Sequence, residues 1–100
     1  MIVIDLIAVP NQYLSVTLNQ VLWELTIKTV KGVMAADIVR DGRTLVSGQR
    51  IVADGPIIPY AYLSEQGNFA FLTPSGEIPW WESFGMTHTL VYLSPEEVGL

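Results

Sequence analysis

The sequence contains no cysteine. That excludes structural disulfides, thiolate metal ligands and cysteine nucleophiles together, and leaves the redox compartment open. Histidine occurs once, as His88, so a zinc site would have to lean on carboxylates, an uncommon arrangement. Charge is scarce too: 15% of the 100 residues are charged and 50% are hydrophobic, against about 25% charged in an ordinary soluble domain. No Lys or Arg follows Arg50. Five basic and ten acidic residues give a net charge of −5, which argues against nucleic acid or an anionic membrane as partner, since both demand clustered cations. No apolar run approaches the ~20 residues that span a bilayer. The opening "MIVIDLIAVP" has Asp5 in its middle and lacks the basic region and small-residue cleavage site of a signal peptide.

What is present is short, alternating and β-branched. Turn signals recur about every 8 to 12 residues, the spacing of an all-β domain: "NQ" at 19–20, "KG" at 31–32, "DG" at 41–42, "DGP" at 54–56, "QGN" at 66–68 and "PSG" at 74–76 among them. Leu14, Val16 and Leu18 alternate with Ser15 and Thr17, and Val21, Trp23, Leu25 and Ile27 alternate with Glu24, Thr26 and Lys28. Residues 18–25 also fit a helical spacing, but the β-branched run through Thr26, Ile27, Thr29 and Val30 favours strand.

"MAADIVRDGRTLVSG" (34–48) reads as a hairpin closed by Asp41 and Gly42 in a type I′ turn, with Ile38 opposite Leu45 or a neighbour and Gly48 marking a bulge. "RIVA" (50–53) continues the return strand. Pro56 and Pro59 confine 56–63 to an edge or irregular extended segment. "NFAFLT" is a strand with Phe69 and Phe71 on one face, and "MTHTLVYL" is the closing strand, with Met86, His88 and Leu90 sharing a face. In the tail, Ser94, Pro95 and Glu97 have the form of a capping box with room for at most one helical turn. The expectation is one all-β domain over residues 1–100, a small antiparallel β-barrel or β-sandwich of seven or eight short strands.

Chemistry is thin. There is no catalytic motif, no phosphate-binding glycine loop and no cofactor or metal signature. A single histidine on a strand is chiefly a hydrogen-bonded packing residue. Glu77 and Glu82 bracket the tryptophans of "EIPWWESFG" and resemble a sugar-cleaving carboxylate pair, but solvated loop charges beside a packed indole are the better reading. Asp37, Asp41 and Asp54 lack the register of a calcium loop; turn chemistry accounts for Asp41 and Asp54.

Two features point to assembly. Lys28, Lys31, Arg40, Arg43 and Arg50 precede a wholly acidic remainder, a division that suits contact between the basic part of one molecule and the acidic part of another unless folding intermixes the two. Aromatics fall in loop-rich segments, and Tyr60, Tyr62, Trp80, Trp81 and Phe84 are the candidate interface residues. Pro79 keeps the tryptophan pair out of a ladder, so one indole, Trp81, is expected under the loop and the other, Trp80, outward against a partner.

"VPNQYLSVTLNQ", "MAADIVRDGRTLVSG", "PYAYLSEQGNFAFL" and "FGMTHTLVYLSPEEV", in that order, resemble the baseplate plug family of contractile-tailed phages, first described in a cyanophage. The resemblance implies a non-enzymatic virion protein of the tail baseplate, assembled in the host cytoplasm. It further implies packing against the central hub and spike at the end of the tail tube, as a homo-oligomer and a trimer by the symmetry of the hub. It brings no catalytic or ligand residues with it. The alternative from the residues alone is a small β-barrel that binds carbohydrate on a platform of Tyr60, Tyr62, Trp80 and Trp81.

Overall fold

Three times in succession the chain reverses through two residues that both have positive φ: Asn19 and Gln20, Lys31 and Gly32, Asp41 and Gly42. Turns of this hand match the twist of the strands they join. The computed structural model describes residues 1–98. In it the three turns link β2 (Gln12–Leu18), β3 (Val21–Val30), β4 (Val33–Arg40) and β5 (Arg43–Arg50) into a four-stranded antiparallel meander. The registers close on the turns, with Leu18 opposite Val21, Val30 opposite Val33 and Arg40 opposite Arg43. Asp41 accepts the Leu22 N–H at 2.9 Å through its side chain and donates its own N–H to the Leu22 carbonyl at 2.8 Å. The third turn is thereby fastened to the second strand.

A second sheet has the order β1 (Ile2–Ile4), β7 (Thr89–Leu93), β6 (Asn68–Leu72), again antiparallel. Thus the described residues form seven strands in two separate sheets, a sandwich-like arrangement rather than a closed barrel. The other regular pieces are single 3₁₀ turns at Ala61–Leu63, Pro74–Gly76 and Trp81–Ser83. No helix forms over 18–25: Leu18 ends β2, Asn19 and Gln20 turn the chain and Val21 opens β3, in which Trp23, Leu25 and Ile27 are fully buried and the residues between them partly exposed.

Ile38 pairs with Val46, the neighbour of Leu45, because Leu45 is an extra residue between two paired positions. A second irregularity falls at Ser47 and Gly48. There Gly48 adopts φ +65° and donates its N–H to Asp37 Oδ1 at 2.6 Å. Asp37 Oδ2 takes Lys28 Nζ at 3.0 Å. Burial by itself raises the Asp37 carboxyl, but the Gly48 amide, the Lys28 ammonium and Ser47 outweigh it and hold the group below its ordinary value. Asp37 is therefore a clamp on a bulge.

The return strand ends at Arg50, short of the expected continuation through Ala53. After Ile51 donates to the Met34 carbonyl at 3.0 Å, the chain leaves for the other sheet. It follows the free side of β6 through bridges from Ala53 to Phe71 and from Pro56 to Ala70. Asn68 secures this crossover from within: its Oδ1 accepts the Ile58 N–H at 3.0 Å and its Nδ2 donates to the Ile58 carbonyl at 2.9 Å. A buried amide thus replaces the ladder that the prolines prevent.

Between the sheets, Trp23, Leu25, Ile27, Met34 and Ile38 meet Phe69, Phe71, Leu90 and Tyr92. Trp23 stands edge-on to Phe69 at 5.0 Å, and Phe71 stacks on Phe84 at 5.2 Å. Burying one such indole contributes roughly 4 to 6 kcal/mol, from ~150 to 250 Å² at ~25 cal/mol per Å². Arg40 continues the inward alternation of Met34, Ala36 and Ile38, and its guanidinium lies 5.9 Å from the Trp23 ring centre.

Candidate interaction surface

The five candidate residues divide into three places. Tyr60 and Tyr62 are 51% and 72% exposed, with ring centres 5.9 Å apart. Tyr60 leads into the turn Ala61–Leu63 and Tyr62 is its middle residue; Leu63 donates to the Tyr60 carbonyl and Ser64 to the Ala61 carbonyl. Two long bonds hold this turn: Arg40 donates to the Leu63 carbonyl at 2.9 Å, and the Tyr92 hydroxyl donates to the Gln66 carbonyl at 2.8 Å. Burial, and after it the Glu96 and Glu97 carboxylates, push the Tyr92 phenol above its ordinary value, so it remains a donor.

Trp80 and Trp81 are both half-buried and both pack on the core, ring centres 6.2 Å apart. The expected division into one buried and one outward indole is not what forms. Trp80 is extended, but Trp81 begins a 3₁₀ turn, and strict alternation ends between them. Pro79, immediately before the pair, is buried. The Trp80 indole N–H donates to Glu82 at 2.9 Å, and its backbone N–H donates to His88 Nδ1 at 3.0 Å.

Phe84 stands apart from the other four. It is 2% exposed and stacked on Phe71, so it fills the core below the tryptophans instead of presenting a surface. The reason is the chain path: the 3₁₀ turn aims residue 84 inward, where it bridges to His88.

Ile58, two residues before Tyr60, is bonded to Asn68 at the start of β6, and Trp80 is bonded to His88, the neighbour of Thr89 that pairs with Leu72 at its end, so the two pairs lie toward opposite ends of this five-residue strand. At ~3.3 Å per residue that strand separates its ends by roughly 13 Å. No single four-ring platform results.

His88 is 4% exposed and accepts a backbone hydrogen bond, the expected packing role; its Nε2 lies 3.7 Å from Glu77 Oε1. Glu82 serves the Trp80 indole, so each carboxylate is engaged by a neighbour of the pair. Met86 does not share the face of His88 and Leu90. It is 73% exposed, because Gly85 at φ +79° turns the chain and the strand starts only at Thr89. Asp54, at φ +57°, is a turn residue. Among the described residues no three His, Asp or Glu side chains gather in a metal-holding group.

All five basic residues lie on the four-stranded sheet or its turns, and Asp54, Glu65, Glu77, Glu82, Glu96 and Glu97 lie outside it. Among the described residues the two sets meet where Arg40 approaches Glu65 at 3.7 Å, while Lys28 pairs with Asp37 of its own sheet. Ser94 and Glu97 form the expected capping box, Ser94 N–H to Glu97 at 3.0 Å and Glu97 N–H to Ser94 Oγ at 3.4 Å, closing a turn and no helix over the described residues.

The buried, bridging roles of Arg40 and Asn68 are not among the sequence-based expectations, although each has a signal. Arg40 occupies an inward position of an alternating strand, and Asn68 follows a glycine at the head of an apolar one.

No curated protein matches the chain. A family model described as "Cyanophage baseplate Pam3 plug gp18" matches residues 1–96, nearly the whole length. The chain belongs to this cyanophage baseplate plug family, and so to the structural proteins of the virion tail baseplate.

Proposed function

We propose that this protein acts as one β domain that packs against the central hub and spike at the end of the tail tube, with no enzymatic step. Membership of the plug family across residues 1–96 carries this reading. The exposed Tyr60 and Tyr62 support it, as do the half-buried Trp80 and Trp81 at the other end of the same strand. Aromatic rings held by a rigid frame lose little entropy on docking, which is why they serve as anchors. Phe84 backs the tryptophans from the core. A trimeric arrangement fits a threefold hub.

The test is assembly of baseplates with and without this chain, followed by a reconstruction of the tail end. The expected map contains density for the β sandwich at the hub, in threefold copies, and none when the chain is omitted. Baseplates whose centre is unchanged by omission would sink the proposal.

A further inference from the structure

Among the described residues the two sheets have four edges, and three of them discourage pairing with another chain. The free side of β6 is taken by the crossover, through the bridges at Ala53 and Pro56. β5 carries Arg43 and Arg50 at its ends and two register breaks between them, devices that keep an edge from being extended. β1 offers three residues. β2 is the exception: its seven residues, Gln12–Leu18, hold one unbroken register with β3 and include no charged residue, proline or glycine. Leu18 and Val21 close a two-residue turn and so form a bonded pair, and Val16 and Leu14 follow in alternation. The N–H and C=O groups of Tyr13, Ser15 and Thr17 therefore point away from β3. No main-chain group of the described residues reaches these six, and all three residues are exposed.

We infer that β2 pairs antiparallel with β2 of a second copy, about a twofold axis through Ser15. The pattern of the strand is symmetric about that residue, which is what decides for a second copy. Ser15 meets the partner's Ser15 and Tyr13 meets the partner's Thr17, an aromatic and a β-branched side chain, so all six outward groups are matched one to one. The same register sets Leu14 opposite the partner's Val16. Both are half-buried and packed on the core, and pairing carries that apolar stripe from one core to the other without moving a side chain to the wrong face. Charge does not oppose the contact. The nearest carboxylate on the outer face is Glu24, paired in register with Ser15 and bonded by the Tyr13 hydroxyl at 2.6 Å. Across the axis the two Glu24 positions stand three strand spacings apart, roughly 14 Å, beyond the screening length of ~8 Å at physiological salt. The contact also closes. Pairing β2 to β5 of the next copy would run on without end and is obstructed by the register breaks and arginines of β5, whereas β2 to β2 uses up the open edge of both copies. This pairing is a property of the free chain and does not rest on the plug reading, which sets copies about the threefold axis of the hub.

The experiment is sedimentation of the whole chain over a wide range of concentration, joined to amide hydrogen exchange. The expected result is a concentration-dependent dimer in which exchange slows at Tyr13, Ser15 and Thr17 as the dimer forms, while Leu14 and Val16, bonded to β3, are protected at every concentration. Ser15→Lys and Ser15→Glu each place like charges directly opposite across the axis, and each is expected to weaken dimerisation roughly fivefold or more, whereas an equimolar mixture of the two recovers it. Position 15 is exposed, and the amide spectrum of β3 to β5 reports that each variant is folded. A monomer at every concentration, exchange at Tyr13, Ser15 and Thr17 that ignores concentration, or a mixture that dimerises no better than either variant alone would each overturn the inference. So would a trimer, which a twofold edge contact cannot close.

Discussion

The guanidinium of Arg40, on the last strand pair of the meander, donates to the carbonyl oxygen of Leu63 at 2.9 Å and so ties the turn that carries Tyr62 to the four-stranded sheet. A charged donor this buried is costly to leave unpaired, and the Leu63 carbonyl is costly to abandon. Arg40→Met is expected to lower stability by about 2 to 4 kcal/mol and to speed amide exchange at residues 61–66 well beyond that in β2 and β3. Denaturant titration gives the first quantity and hydrogen exchange the second. Uniform acceleration across both sheets would contradict the tethering role.

Asn68 substitutes for a strand neighbour, satisfying both main-chain groups of Ile58 and accepting the Phe69 N–H at 2.7 Å. Asn68→Asp keeps the acceptor and loses the donor, leaving the Ile58 carbonyl beside a carboxylate. Asn68→Ala loses everything. Both are expected to destabilise by about 2 to 4 kcal/mol, the cost of stranding buried polar groups, with the aspartate recovering part of the loss when protonated. The check is the urea midpoint of each variant at neutral and acid pH.

Gly67 stands at φ +108°, and a Cβ built there would lie 2.6 Å from the Leu93 carbonyl and from the Tyr92 ring. Gly67→Ala therefore combines a forbidden backbone region with a backbone clash, for an expected loss of about 2 to 4 kcal/mol. Gly32→Ala has a positive φ but open space around it, and about 1 kcal/mol is expected there. Thermal melts of the two variants side by side test the difference.

Asp37 gives the fold a defined acid response. Its carboxyl is held below its ordinary value in the folded state, so its stabilisation is complete above the unfolded value of about 3.9 and is lost as the pH falls through the folded value. Asp37→Asn keeps an acceptor for the Gly48 N–H and loses the Lys28 pair. The substitution is expected to cost about 1 kcal/mol at pH 7 and progressively less below pH 4. Denaturant midpoints of both proteins across pH 3 to 7 supply the comparison; parallel curves would show that Asp37 does not clamp the bulge.

How far the sequence discloses the molecule depends on the range of the interaction. The meander was legible because each of its strands meets the next one through a two-residue turn, and Asp41–Gly42 states its geometry locally. β1 was not, since among the described residues Ile2–Ile4 pair only with Leu90–Tyr92, nearly the whole chain away. The closing strand was read two or three residues too early because alternation runs through Met86 in the sequence, while Gly85 turns the backbone there. Trp80 and Trp81 defeat the same rule: a 3₁₀ turn beginning at the second residue puts neighbouring side chains on one side. Of the interface candidates, the exposure of Tyr60 and Tyr62 agrees with a proline-broken segment, and the burial of Phe84 follows from a chain reversal that periodicity does not encode.

The two sheets differ in how far the chain must travel to build them, and this sets an order of events. β2 to β5 form from contacts between immediate neighbours, so little chain entropy is spent before each hairpin gains its bonds. The three-stranded sheet requires residue 2 to find residue 92 and waits on the crossover that Asn68 and Arg40 secure. The meander is thus expected to act as the folding template, and the three-stranded sheet, with the aromatic pairs in the segments before and after β6, is completed last. In kinetic terms, the surface offered to a partner matures only after the rest of the molecule has committed to its shape.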